Sequence, residues 1–356
     1  MSERIFKRKI YQKLLDWKEQ DKGSTALLIE GARRVGKSTI AEEFAKNEYE
    51  TYLLIDFSIA SKVVKDAFTD ISNLDMLFTS LQMNCGVNLI PGKSLIIFDE
   101  IQKWPLARQA IKHLVKDGRF HYIETGSLLG IKMKKRPMTD GTKILIPSEE
   151  RRIAMYPMDY EEFRWALGDT ATMSLAKNIF EQWAPLGDAT NRKLMRDFRL
   201  YVLVGGMPQA VNTYLDTLDL SRVDQVKRNI INLYDSDYYE LDSSGKTSML
   251  FHAIPAQLNT NASRYQVSSV IEGGRTERLT TSLSILKESM TTNIAYHSND
   301  PSAGLAMHIN PECFKLYCGD TGLFITLAFW DSDFTSNVIY QKILNGKLTA
   351  DLGYVY

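Results

Sequence analysis

Residues Gly31 to Ser38 read GARRVGKS, which fills every fixed position of the pattern G-x-x-x-x-G-K-[ST]. A loop of this type wraps backbone N–H groups around phosphate oxygens and delivers them to a helix N-terminus, where the helix dipole favours negative charge. The candidate contacts are therefore Gly31, Ala32, Arg33, Arg34, Val35, Gly36, Lys37, Ser38 and Thr39. Lys37 is expected to reach the β and γ oxygens of a nucleoside triphosphate, and the Ser38 hydroxyl to coordinate magnesium. The expected ligands are ATP and Mg2+, although no base-specific motif separates ATP from GTP.

A second group of residues points to hydrolysis. Ser94 to Glu100 reads SLIIFDE, a buried strand ending in two acids. Asp99 is expected to hold the magnesium and Glu100 to polarise a water molecule against the γ-phosphate. Two solvated acids at a strand end are the plain alternative. Thr125 and Ser127 follow the next strand, where a hydroxyl can sense the γ-phosphate; a helix N-cap explains Thr-Gly-Ser as well. Arg151 and Arg152 precede another β-prone stretch, and either could stabilise charge on a phosphate of this or a neighbouring subunit, Arg152 being the one placed in the site, against the alternative of a solvated strand edge.

These residues require a scaffold of alternating strands and helices. Thr25–Glu30 (TALLIE), Tyr52–Phe57 (YLLIDF), the strand before Asp99 and Phe120–Glu124 (FHYIE) are short and apolar, as buried parallel strands are. Helical spacing appears at Tyr11–Gln20, Thr39–Lys46, Lys62–Phe68 and Leu74–Met83. The expected fold class is α/β, a P-loop NTPase with a doubly wound parallel sheet, over residues 1–165. Asp159–Leu167 has the signature of a capped helix, and residues 166–245 read as a helical lid or connector.

Residues 246–312 read as a winged helix. Met249–Leu258 and Tyr265–Val270 are expected to be helical, and Leu279, Leu283, Leu286 and Met290 share one face of a third helix. Thr292–Tyr296 and Ala306–Ile309 would form the wing. Arg264, Arg275, Arg278 and Lys287, with Thr281 and Ser282, would face DNA; docking of a protein partner or self-association suits the module equally. The basic run Lys132–Arg136 (KMKKR) reads as a solvated loop.

Forty-three basic and 43 acidic residues among 356 cancel, so the overall balance announces neither a nucleic-acid nor a membrane binder. Three cysteines without CxxC spacing and five scattered histidines offer no zinc site and suit a reducing, cytoplasmic compartment. The longest late apolar run, Gly322–Trp330, is far shorter than the roughly 20 residues that span a bilayer. No membrane partner is expected.

Taken together, the loop, LIIFDE, ETGS, MYPMDYEEF (Met155–Phe163) and YVLVGGMPQAV (Tyr201–Val211) resemble bacterial and archaeal AAA-type ATP-binding proteins. IPAQL (Ile254–Leu258) and FKLYCGDTGL (Phe314–Leu323) are similar to the C-terminal domain of unknown function in that group. The resemblance implies an AAA/ASCE-type ATPase core, a helical segment, a winged helix and a restriction-endonuclease-like fold. Residues 313–356 would be the start of that last domain, truncated after Gly353–Tyr356, so no nuclease site is expected and the apolar run after Thr321 should lie uncovered and poorly ordered.

Overall fold

The structure is a computed structural model; it describes residues 4–126, 148–260, 262–274, 279–300, 304–331, 341 and 343–345. The chain divides into two compact units, Lys7–Met155 and a second formed by Met1–Phe6 with Tyr156–Tyr356. The break falls about ten residues before the expected boundary at 165. The capped helix Asp159–Leu167 therefore opens the second unit.

In the first unit the elements run α1 (Ile10–Asp21), β1 (Ala26–Glu30), α2 (Lys37–Glu48), β2 (Thr51–Asp56), α3 (Lys62–Asp66), α4 (Leu74–Cys85), β3 (Ser94–Asp99), α5 (Pro105–Asp117), β4 (His121–Gly126) and β5 (Glu150–Ala154). The five strands make one parallel sheet in the order β2-β3-β4-β1-β5. Helices cover parallel strands on both faces, which is why β3 is buried along its whole length. On one side the core is aromatic: Phe57, Phe68 and Phe98 meet edge to face or tilted, with Tyr122 beside Phe98. The chain leaves β1 for the far edge and returns through β3 and β4, so the order reverses beside β1. Ligands of open α/β sheets bind at such a reversal, beyond the carboxyl ends of the strands.

The second unit contains α6 (Tyr160–Ala166), α7 (Thr172–Glu181), α8 (Asp188–Val204), α9 (Pro208–Thr217), α10 (Leu220–Leu241), α11 (Lys246–His252), α12 (Ile254–Asn259), α13 (Val267–Val270), α14 (Thr280–Glu288), β6 (Thr292–Ser298), β7 (Ile309–Cys318) and α15 (Thr321–Ala328). Asp159 and Glu162 form a reciprocal capping box at the start of α6. The antiparallel pair β6·β7 has a bulge at Tyr296/His297. The expected second wing strand, Ala306–Ile309, is displaced: residues 305–308 form a 3-10 turn and the strand begins at Ile309. A boundary at 312/313 would cut through β7. Ser282, expected to face outward on the third helix, is buried and donates to Asp242 at 3.0 Å, whereas Arg264 and Lys287 are exposed. Arg275, Arg278, Ser127, Lys132–Arg136 and Gly353–Tyr356 lie outside the described residues.

The apolar run after Thr321 is the main departure from expectation. Helix α15 is buried from Gly322 to Leu327, against α8 and α10. Gly205 and Gly322 explain how it gets so close. The backbone N–H of Gly206 donates to Asp320 at 2.6 Å, the same carboxylate accepts from Leu323 N at 2.8 Å, and the buried Lys227 ammonium donates to the carbonyls of Leu203 and Gly322 at 2.7 and 3.2 Å. A Cβ on Gly322 would stand 2.5 Å from the Val204 carbonyl oxygen and one on Gly205 2.9 Å from Gly322 Cα, while one on Gly206 would stand 2.0 Å from the Met158 carbonyl oxygen. The GGMP and DTGL motifs are thus two sides of one backbone contact. Because the obstructing atoms are backbone, Gly206→Ala should destabilise the second unit by about 3 kcal/mol, the upper end of ordinary overpacking, in urea unfolding monitored by tryptophan fluorescence. An unchanged midpoint would show that the contact relaxes at no cost.

Candidate nucleotide site

The phosphate loop turns from β1 into α2. Gly36, the N-cap of α2, has φ 98°, a conformation that side chains disfavour. Gly31 is required for a different reason: a Cβ there would lie 2.3 Å from the Met155 carbonyl oxygen. Met155 is held in place by its N–H bond to the Glu30 carbonyl at 2.7 Å. Lys37, buried, folds over the loop and donates to the carbonyls of Gly31 and Ala32 at 3.0 and 2.9 Å. Ala32 and Val35 are buried, while Arg33, Arg34 and Thr39 are exposed.

Three of the expected site residues converge on one oxygen. The Ser38 hydroxyl donates to Asp99 Oδ1 at 2.7 Å, and the Thr125 hydroxyl donates to the same atom. Thr125 is fully buried within β4, level with Ile29 of β1, so it is a strand residue and no helix N-cap. Glu100 follows Asp99 with φ 53°, a left-handed turn that ends the strand abruptly, and its carboxylate accepts from Gln102 Nε2 at 2.6 Å. An acid and a serine hydroxyl form a hard oxygen pair, which fits a magnesium ion whose remaining ligands are phosphate oxygens and water, while the loop N–H groups face the phosphates. Among the described residues no group of three or more His, Cys, Asp or Glu could hold a metal by itself.

The arginines after the fourth strand are engaged within their own unit. Arg151 pairs with Asp21 at 2.9 Å; Arg152 pairs with Glu150 at 2.8 Å and lies 3.6 Å from Glu30, the residue before Gly31.

Sequence reasoning missed three contributors. Arg8 reaches across from the N-terminal segment to donate to the Val35 carbonyl at 2.9 Å, buttressing the phosphate loop. Gln102 holds Glu100. Glu124, immediately before Thr125, is wholly buried, and neither of its carboxyl oxygens has a hydrogen-bond partner among the described residues; Arg108 Nε stands 3.9 Å away but is committed to Glu150. The only hint in the sequence was an acid closing an otherwise apolar strand.

Burial, and then the Glu150 carboxylate nearby, push the Glu124 pKa up to about 8 against the pull of Arg108 and Arg152. A carboxyl raised on folding keeps its proton in the native state where the unfolded chain has lost it. Its contribution to stability is full below the ordinary value of 4.5 and drains away as the pH climbs through about 8. Glu124→Gln should therefore remove a downward slope of at most about 1.4 kcal/mol per pH unit in this window. Urea unfolding of both proteins across it checks this; parallel curves would mean that Glu124 is ionised in the native state.

Residues 23–164 match a family described as an AAA domain, and residues 195–333 match a domain of unknown function (DUF8612). Residues 23–164 carry an AAA-type P-loop fold. The second match runs across the expected boundary at 312/313. Among solved structures the chain is similar to the Walker-type ATPase PABY2304 of Pyrococcus abyssi, at 18% identity and a TM-score of 0.55, over 91% of this chain and 96% of that one. That likeness concerns the fold alone. A looser similarity, 12% identity and TM-score 0.34 over 81% and 89%, is to the RuvB Holliday junction branch migration motor of Thermotoga maritima. No curated protein sequence matches. The sheet order of the AAA-type unit accounts for the convergence on Asp99: β4 lies between β1 and β3, so Thr125 stands between the phosphate loop and the acidic pair. Among the described residues no helix is long and apolar enough to cross a membrane.

Proposed function

We propose that the chain is a magnesium-dependent ATPase whose nucleotide state acts as a switch on its second unit. The observation that supports this most directly is the meeting of Ser38 and Thr125 on Asp99 Oδ1 beside the phosphate loop. In this reading the loop amides and Lys37 hold the β and γ phosphates. Ser38 and Asp99 hold magnesium, which supplies charge neutralisation on the phosphate oxygens when bound. Glu100, oriented by Gln102, accepts a proton from the attacking water, and Thr125 reports the γ-phosphate to β4. Arg152 is the candidate for stabilising charge on the transferred phosphate, once released from Glu150 and Glu30.

ATP turnover, measured with magnesium and with EDTA and over a range of protein concentrations, tests the proposal. Turnover should require magnesium, and Asp99→Asn should raise the magnesium concentration needed for half-maximal rate. A rate that EDTA leaves unchanged would refute it. Association with DNA through Arg264 and Lys287 is a separate part of the proposal. Duplex binding compared with and without ATP should weaken steeply with salt if phosphate contacts carry it; no binding at low salt in either state would leave protein docking as the role of that region.

A further inference from the structure

Helix α8 presents Arg192, Arg196 and Arg199 along one face, at spacings of four and three residues. Like charges at these spacings repel weakly, with Arg192 and Arg196 exposed and Arg199 half-buried, so an anion seated on the stripe would be favoured. Elsewhere in the same unit the guanidinium groups of Arg164 and Arg228 are each tied to carboxylates. Asp197, on α8 itself, is taken by Arg164. Among the described residues Arg192, Arg196 and Arg199 meet no carboxylate, and the buried Nε of Arg199 has no hydrogen-bond partner.

The three arginines line a cavity of about 460 Å³. Its other polar groups are the amides of Asn191, Gln341 and Asn345, and its apolar contacts are Met195 and Leu344; among the described residues no acid lines it. The volume far exceeds that of a lone inorganic anion and lies in the ordinary range of small-molecule sites. Guanidinium forks match phosphate oxygens two at a time, whereas side-chain amides, each both donor and acceptor, suit the edge of a nucleobase. Met195 and Leu344 would cover the face of a planar ring.

We infer that this cavity is a second ligand site, separate from the phosphate loop, for a small nucleoside phosphate. The phosphate would sit on Arg192, Arg196 and Arg199, and the base among the amides. The inference does not depend on the ATPase reading.

AMP is the discriminating probe, since it lacks the β and γ phosphates that a phosphate loop grips. Equilibrium dialysis of labelled AMP against the full chain in EDTA should show one saturable equivalent. Arg199→Gln and Arg192→Gln should each weaken it about tenfold, the loss of one charge-assisted contact, while Lys37→Ala leaves it unchanged. Circular dichroism monitors folding, and should Arg199→Gln fail to fold, the exposed Arg192 carries the test. The inference is overturned if AMP does not saturate, or if Lys37→Ala abolishes binding while the arginine variants do not. It is equally overturned if inorganic phosphate competes as well as AMP, or if a single-stranded decanucleotide displaces AMP at a far lower concentration, which would assign the stripe to a nucleic-acid backbone.

Discussion

Lys37→Ala should lower affinity for ATP by about 100-fold or more, because two charge-assisted contacts to phosphate oxygens disappear together. The same lysine ties the loop to itself through the carbonyls of Gly31 and Ala32, which the alanine variant leaves without that donor. Lys37→Met separates the two effects. Methionine keeps much of the length and apolar stem but supplies neither charge nor N–H, so if charge governs binding it should be as defective as alanine while retaining more of the loop's packing. Titration with a fluorescent ATP analogue gives the affinities, and thermal unfolding the stabilities. The sheet should survive both changes, since β1 and β3 are held by their own ladders and cores rather than by the loop. Unchanged affinity in either variant would remove the phosphate loop from the proposed site.

The elements legible in the sequence are those whose cause is local. β1, the phosphate loop and β3 follow from apolar runs and from glycine, lysine and acid at fixed spacings, and the capped start of α6 follows from Asp159 and Glu162. β5 was expected from Ile153 onward but begins at Glu150, because its first residues are charged and only tertiary pairing with Arg108 makes a buried Glu150 tolerable. Helix α5 is not among the expected elements, although Pro105 at its start and Gly118 beyond its end mark it by ordinary helix punctuation. Arg8 and Gln102 act on the site through contacts that no spacing reveals. The C-terminal apolar run shows the limit most clearly. Hydropathy marked Gly322–Leu327 as needing cover, but the cover comes from α8 and α10, more than eighty residues upstream, through glycines whose role is close approach. A family motif made of glycines and a capping aspartate can thus be wholly structural, whereas the motif ending in Asp99 and Glu100 is the one proposed to carry chemistry. The difference lies in what the side chains face.

Glu100→Gln should retain ATP and magnesium binding while losing about two to four powers of ten in turnover, the usual worth of a positioned general base. The substitution is close to isosteric. Gln102 Nε2, which now donates to the Glu100 carboxylate at 2.6 Å, can donate equally to the new amide oxygen, so the left-handed turn at position 100 keeps its support. What is lost is the ability to take a proton from water. The Gln102→Ala variant leaves the carboxylate intact but releases it from its partner, and should cost much less, about tenfold, through misorientation of the base. The order of the two effects is the decisive result. If the Glu100 amide hydrolyses ATP at the wild-type rate, the proton acceptor is another residue. If it loses nucleotide binding as fully as Lys37→Ala does, Glu100 supports the fold of the site instead of its chemistry. A single-turnover measurement with prebound ATP separates these outcomes, because binding is then complete before the step that Glu100 is proposed to assist.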